Sequence, residues 1–447
     1  MKIPFLNTSI EKDFYFLIKL IPFWWLTGIN FIVFHLFSLI ALFKLAMLNI
    51  KTNKIIKTPY VCFLLIFFIL IYILAIILNI YESSFSRILA AFYNLSFWII
   101  GLIVIILIYN KFETTFILMF LRSIYWLTIF LIFLALIAFF LYFKGFQQEI
   151  NFKSILLMLF PNLENIFKIA PLISSSLNPT ILYVDYFFNI SLPRLRGIEN
   201  YSTAFGGLMM LLIPMNIAYL KIKGTGKFKI FIITLLIVLL MIFSLSRIAF
   251  LSLFTGWLYV NILKKKKFFI LTTLTIFIII LPSFNIIDKI FLMKRGSTET
   301  RLSLYNMAIN EVLNKQPIIG LGIKPRREDL DIPIGSHSTY IGVIYKTGIL
   351  GFIFFILFFI SVNLQYIKLR RYIYIDKNFK FFLDMLGICL IAGQIWMFTD
   401  DLDAAPIFSF LYFMIIGLII FLKDKFEKNE IKRITSFYII SKNHNIL

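Results

Sequence analysis

Runs of about twenty apolar residues recur along most of the chain, and they limit its fold more than any other feature. A helix needs about 20 apolar residues to cross the hydrocarbon layer of a bilayer. The composition agrees, since 61% of the residues are hydrophobic and only 15% are charged, whereas soluble domains are about 25% charged. We therefore predict an all-α, polytopic integral membrane protein with about 12 transmembrane helices.

The predicted spans follow from the positions of these runs. They lie at about 14–27, 29–48, 58–80, 87–109, 119–143, 203–220, 229–246, 248–263, 268–284, 341–366, 381–399 and 404–422. We predict one membrane domain over 1–447, with a first outer segment at 144–202, a second outer segment at 285–340 and a basic cytoplasmic tail at 423–447. The first two spans are predicted to form a tight hairpin at Thr27 and Gly28.

The net charge of +22 is distributed unevenly between the two predicted sides. The short loops and the tail on one side hold 28 of the 44 lysine and arginine residues. Cytoplasmic loops retain such residues under the positive-inside rule, so this side is predicted to be cytoplasmic and both long segments are predicted to be outside. A nucleic-acid partner is not expected, because its surface would need the basic residues gathered on one soluble face.

Residues suited to metal binding or redox chemistry are scarce. Cys62 and Cys389 lie inside apolar runs, where they frame neither a disulfide nor a zinc site. No metal-ligand spacing, phosphate-binding loop or dinucleotide-binding glycine pattern is present, and no removable signal peptide is predicted. His35 is interpreted as a packed residue bonded to a neighbouring helix, and His444 as solvated. We expect no metal and no cofactor.

His337 is the histidine whose position suggests chemistry. It lies in GSHSTY, 335–340, where the second outer segment enters a span. Gly335 gives the backbone freedom, and Ser336 and Ser338 are residue types that cap a helix start. A capping turn with an incidental imidazole is the alternative interpretation.

Arginines mark three places on the predicted outer side. Arg247 separates two apolar runs, so it marks a tight turn or a helix end, and its planar guanidinium suits phosphate oxygens. Arg194 and Arg196 precede Gly197 and a polar helix start, which suggests a phosphate or sugar rim. Arg301 lies on the first turns of a predicted helix. Arginines that only anchor helix ends at the interface are the alternative.

The second outer segment contains a predicted amphipathic helix from Ser297 to Asn314. Its apolar stripe is formed by Leu302, Tyr305, Ala308, Ile309 and Val312. We expect it to lie on the outer membrane face. Lys294 and Arg295 would add positive charge beside Arg301 over the mouth of the bundle.

Four aspartates complete the set of notable residues. Asp400, Asp401 and Asp403 lie between the last two spans. We interpret them as a solvated turn, with orientation of a base or binding of an acceptor sugar as alternatives. Asp384, near the predicted inner face, has no partner that the sequence identifies.

Taken in order, these motifs resemble the O-antigen ligase and polymerase superfamily of bacterial envelope glycan enzymes. The resemblance rests on an Arg-Gly segment before a helix, the SR of SLSRIAFL (244–251), an outer amphipathic stretch, the PIIGLG turn (317–322), and HSTY (337–340) leading into GVIYKTGILG (342–351). It covers mainly residues 190–365. Ligases of this family typically carry asparagine after the histidine, whereas Ser338 stands here, so the chain looks more like polymerases of O-antigen or capsule repeat units.

The resemblance implies a metal-independent glycosyltransferase in the cytoplasmic membrane, with its active site on the extracytoplasmic face. The donor and acceptor would be polyprenyl-diphosphate-linked oligosaccharides, and the other partners would be membrane lipid and a chain-length regulator. It assigns catalytic roles to His337, Arg247 and Arg301. We add Arg194, Arg196, Arg295 and Tyr340 as substrate-binding residues.

Three other functions stay open at this point. A ligase that transfers finished glycan en bloc is the nearest alternative. A lipid-linked oligosaccharide flippase would favour repeated halves and a polar cavity at mid-membrane, but the notable polar residues gather outside. A scaffold for envelope assembly would tolerate the loss of His337.

Overall fold

The computed structural model describes residues 9–145, 149–167, 170–187, 190–264, 295–325, 333–371 and 377–428. The described chain is mostly helical. Its helices are α1 Ile10–Lys19, α2 Ile21–Thr27, α3 Asn30–Lys51, α4 Tyr60–Leu78, α5 Phe85–Lys111, α6 Phe116–Phe143, α7 Ile155–Leu159, α8 Leu163–Ile166, α9 Pro171–Leu177, α10 Ser202–Ile222, α11 Lys227–Phe243, α12 Arg247–Leu263, α13 Arg295–Lys315, α14 Thr339–Arg371, α15 Lys377–Trp396 and α16 Pro406–Glu427. Its strands are β1 Ile150–Asn151, β2 Thr180–Phe187 and β3 Ile190–Leu195.

Eight helices in the described part of the chain are long and apolar enough to cross a membrane, namely α3, α4, α5, α6, α10, α14, α15 and α16. This confirms a polytopic membrane protein, but the count of twelve stays a prediction. Helices α11 and α12 have 17 residues each, or about 25 Å at 1.5 Å per residue. The predicted span 268–284 and the tail beyond residue 428 lie outside the described residues.

The predicted span 14–27 is not one helix. Helices α1 and α2 replace it, and they meet at Leu20. Pro22 accounts for the break, because proline has no N–H for a bond to the preceding turn. The predicted turn at Gly28 is present, with a left-handed φ of 83°. A Cβ at Gly28 would approach the Ser154 hydroxyl to 2.4 Å, so only glycine fits there.

A three-stranded antiparallel sheet, in the order β1-β2-β3, corrects the all-α prediction. The sequence of β2, TILYVDYF, is rich in the β-branched and aromatic residues that favour strands, and every residue of β3, ISLPRL, pairs with it. Tyr183 pairs with Arg194 across the sheet. Asp185 lies diagonally from Arg194 and forms an ion pair with it at 2.7 Å, as such cross-strand neighbours can.

Helices α10 and α16 form the centre of the bundle, and almost every side chain on them is buried. Small residues allow this close packing, as they do in other membrane bundles. A Cβ at Gly207 would lie 2.6 Å from Nε1 of Trp396. Helices that are apolar all round belong in such a core.

The bundle has two chemically different ends. At one end Asp384 forms ion pairs with Lys264 at 2.6 Å and with Arg370 at 3.1 Å. The sequence had identified no partner for Asp384, and the structure gives it two. Within the described residues, the basic connecting segments 51–57, 221–229 and 368–371 also lie at this end, which we call the basic end. At the other end Thr203 donates to Asp400 at 2.6 Å and the guanidinium of Arg87 donates to the Lys324 carbonyl at 2.7 Å.

Helix α14 is interrupted at Gly348, where φ is 59° and ψ is −164°. The PIIGLG turn fills this break. Leu321 and Gly322 donate their N–H groups to the carbonyls of Tyr345 and Lys346, while Ile349 and Leu350 donate to Pro317 and Ile318, all at 2.8–3.0 Å. Buried backbone groups must be paired, and here the turn pairs those that the broken helix leaves.

Candidate functional site

His337 lies in the short connection just before α14, at the end of the bundle opposite the basic end. Its φ of 67° is uncommon for a residue other than glycine. Two side chains hold this conformation: the His337 N–H donates to Oδ2 of Asp401 at 3.0 Å, and the Tyr305 hydroxyl donates to the His337 carbonyl at 2.6 Å. Ser338 caps α14 by accepting from the Ile341 N–H at 3.3 Å, as predicted for this position.

The environment of His337 favours the neutral imidazole. Burial lowers its pKa first, the positive charges of Arg301 and Lys324 lower it further, and the carboxylate of Asp401 opposes them. Since an ordinary histidine pKa is about 6.5, the ring is mostly uncharged at pH 7. A neutral imidazole can accept a proton.

Three of the predicted arginines converge on the same end of the bundle. Arg247 begins α12 and lies within electrostatic reach of Arg194 and Arg301. Arg194 donates to the Ser244 carbonyl at 3.0 Å, just before Arg247 in the chain, and Arg301 donates to the Thr399 carbonyl at 3.5 Å. Like charges repel, so this group of guanidiniums is suited to an anion that could lie between them.

The aspartates between α15 and α16 are not a solvated turn. Asp400 and Asp403 are only 1% and 2% exposed. Burial raises the pKa of Asp400 to about 7, although Arg301 and hydrogen bonds from Thr203 and Thr399 oppose the increase. Burial acts in the same direction on Asp401, but the charges of Lys324, Lys346 and His337 outweigh it and hold its pKa below the usual value. The sequence interpretation was wrong because it could not show which distant residues surround this loop.

Two lysines near the site were missed by the sequence prediction. Lys346 is 1% exposed and forms an ion pair with Asp403, and Lys324 lies 3.6 Å from Oδ2 of Asp401. Lys346 carried a usable signal, because a lysine inside an apolar run is costly without a partner. Together these pairs fasten the loop of residues 400–403 to α14 and to the segment after PIIGLG.

Glu199 was also missed. It is 4% exposed, and its Oε1 accepts from the Phe408 N–H at 2.8 Å, in the first turn of α16. Burial raises the pKa of Glu199 to about 8, against the effect of that hydrogen bond. The glutamic acid therefore caps the central helix from a distant part of the chain.

Tyr340 and Arg196 do not join the arginine group. The Tyr340 hydroxyl donates to the Gln394 carbonyl at 3.1 Å, and its ring stacks on Phe398 with centroids 4.3 Å apart, so Tyr340 faces α15. Arg196 lines a separate cavity beside the sheet. Arg295 begins α13, but its side chain and the whole of Lys294 lie outside the described residues.

Helix α13 packs on protein rather than only on a membrane face. Its buried side chains include Leu304, Ala308 and Val312, each 1% exposed. Ala308 and Val312 form a small apolar cluster with Leu321, Ile334 and Tyr345. Leu302 is 56% exposed, so its place in the predicted stripe was wrong. The apolar residues of α13 fit two adjacent stripes, one with Leu302 and one with Leu304. Packing against α14 buries the stripe that contains Leu304.

The remaining predicted histidine contact is present. Nε2 of His35 lies 2.7 Å from the Ser96 hydroxyl, which joins α3 to α5 as the packing interpretation requires. Within the described residues, no group of three histidine, cysteine, aspartate or glutamate side chains is placed to hold a metal ion.

The fold and site define a multi-pass membrane protein with a basic and titratable site at one end of its helical bundle. Residues 232–356 match the family model described as O-antigen ligase. This match confirms the resemblance to the O-antigen ligase and polymerase superfamily, and its range includes Arg247, Arg301 and His337. No curated protein matches the chain.

Proposed function

We propose that the protein is a glycosyltransferase that polymerises polyprenyl-diphosphate-linked oligosaccharide repeat units into a surface polysaccharide, O-antigen or capsule. The family match supports an enzyme of the O-antigen pathway. The observation that carries the proposal is the convergence of Arg194, Arg247 and Arg301 beside a neutral His337. Such a set combines anion binding with proton acceptance, which are the two requirements of this transfer.

In the proposed reaction the anomeric carbon of the donor exchanges one oxygen partner for another. The bond from that carbon to the diphosphate oxygen breaks, and its electron pair leaves with the diphosphate. The acceptor hydroxyl oxygen forms the new bond and gives its proton to His337. The three arginines stabilise the negative charge that develops on the leaving group, so the proposal assigns to guanidiniums the role that a metal ion plays elsewhere.

The proposed site faces the outside of the cytoplasmic membrane. The basic end of the bundle holds connecting residues such as Lys54, Lys223 and Lys264. The positive-inside rule assigns such an end to the cytoplasm. His337 and the arginine group lie at the opposite end, where a lipid-linked sugar exposed on the outer leaflet could reach them.

The test follows polymer length on lipid-linked repeat units with purified protein. We expect His337→Ala to slow elongation by about 10²–10⁴-fold through loss of a general base, and Arg247→Ala by about 10²–10³-fold through loss of charge stabilisation. Lys153→Ala is the control, since Lys153 is exposed and forms an ion pair with Glu164 rather than with a residue of the site. Normal elongation in both site variants at normal protein levels would refute the proposal, and wild-type activity should persist with a chelator.

The ligase function is the second candidate, and the description of the matched family favours it. The residue after the histidine, Ser338, favours the polymerase, because ligases typically carry asparagine there. The products separate the two functions. A ladder that grows by one repeat unit shows a polymerase, whereas one-step transfer of a finished glycan shows a ligase.

A further inference from the structure

A cavity of about 290 Å³ lies beside the sheet and next to the arginine group. It is lined by Glu149, Thr180, Tyr183, Arg196, Asn200 and Tyr201. Small-molecule sites measure roughly 300–1,000 Å³, so the volume suits one ring-sized group. The lining offers aromatic faces together with hydroxyl, amide, carboxylate and guanidinium groups.

Some of these side chains build the wall and others are available to a ligand. The Asn200 side chain is engaged, since it accepts from Ser175 at 3.0 Å and donates to the Ala404 carbonyl at 3.3 Å. The partly buried guanidinium of Arg196 and the hydroxyl of Thr180 have no hydrogen-bond or ion-pair partner among the described residues. Both therefore present unused polar groups to the cavity.

Two tyrosines join the cavity to the site described above. The Tyr183 ring lies 5.9 Å from the Arg194 guanidinium. The Tyr201 hydroxyl donates to the Asp401 carbonyl at 3.1 Å, and Asp401 also holds the His337 backbone. A ligand in the cavity would thus be separated from Arg194 only by Tyr183, and from Asp401 only by Tyr201.

The cavity is lined by side chains of both charge signs. Arg196 lies within electrostatic reach of Glu149, so one positive and one negative side chain line the cavity. A diphosphate would be repelled by the carboxylate. A neutral polyhydroxyl ring would instead find hydrogen-bond donors, acceptors and two tyrosine rings in this mostly polar lining.

We propose that this cavity binds one uncharged sugar residue of the glycan, separately from the diphosphate. The inference rests on the proposed function for the presence of a glycan substrate, and it assigns Arg196 to sugar recognition. The bound sugar could belong to the donor chain or to the acceptor chain, since both present the same sugar chemistry.

The experiment compares two probes on the purified full chain by ligand-observed NMR titration. One probe is the oligosaccharide released from the producing cell's own surface polysaccharide and freed of phosphate, and the other is inorganic pyrophosphate. We expect Arg196→Gln to weaken oligosaccharide binding about tenfold, as loss of a charged hydrogen bond does, and to leave pyrophosphate binding unchanged. Thr180→Val should weaken oligosaccharide binding several-fold, and Lys153→Gln is the charge-matched control.

The outcomes separate this inference from the proposed function. Arg247→Gln should weaken pyrophosphate binding only, and its failure to do so would count against the diphosphate site alone. Wild-type oligosaccharide affinity in both Arg196→Gln and Thr180→Val would overturn the sugar site. Loss of pyrophosphate binding in Arg196→Gln, with the oligosaccharide unaffected, would also overturn it.

Kinetics then identify the source of the sugar. Steady-state rates with separately supplied donor and acceptor should show a raised KM for only one of them in Arg196→Gln. An increase for the lipid-linked donor assigns the cavity to the donor chain, and an increase for the acceptor assigns it to the acceptor chain. An unchanged KM for both would contradict the inference.

Discussion

His337 combines a left-handed backbone with a neutral ring, and each property depends on neighbours from other segments. Strained conformations of this kind cost about 1–3 kcal/mol and persist where the surroundings over-determine them. Here Asp401 and Tyr305 bond both sides of the residue. The same Asp401 also raises the pKa of the imidazole by its charge, against burial and Arg301, so one carboxylate contributes both to the backbone position and to the basicity of His337.

The pH dependence of the reaction should reveal this electrostatic balance. A proton acceptor works when neutral, so the rate should fall as the pH drops through the pKa of His337, below 6.5. Arg301 lowers that pKa and Asp401 raises it. Arg301→Gln should therefore move the acidic limb of the rate profile to higher pH, and Asp401→Asn should move it to lower pH.

Initial rates between pH 4.5 and 8 check this prediction, with Lys153→Gln as the control that should keep the wild-type profile. The comparison uses the position of the limb rather than the absolute rate, because both variants also lose activity. Shifts in the same direction, or no shift in either variant, would show that His337 is not the titrating group.

The sequence identified individual charged residues better than it identified their neighbours. Arg194, Arg247 and Arg301 stand out because arginine is rare beside apolar runs, and the structure brings them near one another. The sequence could not predict that Tyr340 faces α15. The face of α14 that contacts α15 at this turn is decided by tertiary packing. The catalytic roles themselves stay predictions.

At the scale of single elements, Gly348 is where the bundle departs most from regular helices. Gly348→Ala would place a Cβ 2.4 Å from the Ile318 carbonyl oxygen, at a φ of 59°. We expect a loss of about 1–2 kcal/mol from the left-handed backbone and about 1–3 kcal/mol from forced displacement. The melting temperature of the variant in detergent measures this loss of stability.

Gly226→Ala is the matched control for this change, since nothing lies within 4 Å of its added Cβ and its φ is ordinary. It should denature at the wild-type temperature. Equal melting temperatures for the two alanine variants would mean that the PIIGLG turn does not fill the break in α14 as described.

The cap that Glu199 gives to α16 allows a second prediction at this scale. With a pKa of about 8, Glu199 is mostly protonated at pH 7, so Glu199→Gln should keep the bond to Phe408 and the stability. Glu199→Ala leaves a buried N–H unpaired, which costs about 1–3 kcal/mol. Melting temperatures of the two variants at pH 7 test this difference.

The sign of the pH effect follows from the raised pKa. The folded state holds the Glu199 proton more strongly than the unfolded chain does, so this contribution is complete below about pH 4.5 and is lost as the pH rises through about 8. The stability of Glu199→Gln relative to the wild type should therefore increase from pH 5 to pH 8. A constant difference would show that Glu199 is ionised in the folded protein.

Element prediction succeeded where periodicity and length were decisive and failed in the first outer segment. Runs such as 58–80 and 404–422 correspond closely to α4 and α16. Strands β2 and β3 were missed although β2 favours a strand by composition, because the residues between them, Phe188 and Asn189, lack the glycine that usually marks a two-residue hairpin. Their pairing also depends on contacts with α6 and α10.

For the whole molecule, sidedness is the property that most directly decides the function. Ser84 is exposed at the end that holds His337, and Gly226 is exposed at the basic end. In intact spheroplasts, a membrane-impermeant maleimide should label Ser84→Cys and should label Gly226→Cys only after lysis. Cys62 and Cys389 are buried, so background labelling of these two native cysteines should be low.

Labelling of Gly226→Cys before lysis, with Ser84→Cys protected, would put the proposed site in the cytoplasm and exclude polymerisation outside. The sequence could predict this orientation only from the distribution of its basic residues. Only the folded chain shows that the two ends also differ in what they bury, with an Asp384 ion-pair cluster at one and the arginines at the other.

The four backbone bonds between the PIIGLG turn and the broken α14 also have a consequence for how this protein can diversify. They hold the two ends of the segment between Gly322 and Tyr345 together, and this segment contains His337. Because these bonds join main-chain atoms, substitutions of the Ile318 or Leu321 side chain leave their donors and acceptors in place. The position of His337 relative to the bundle therefore depends on the main chain of the turn more than on the identity of its side chains, Gly322 excepted, whose φ of 67° favours glycine.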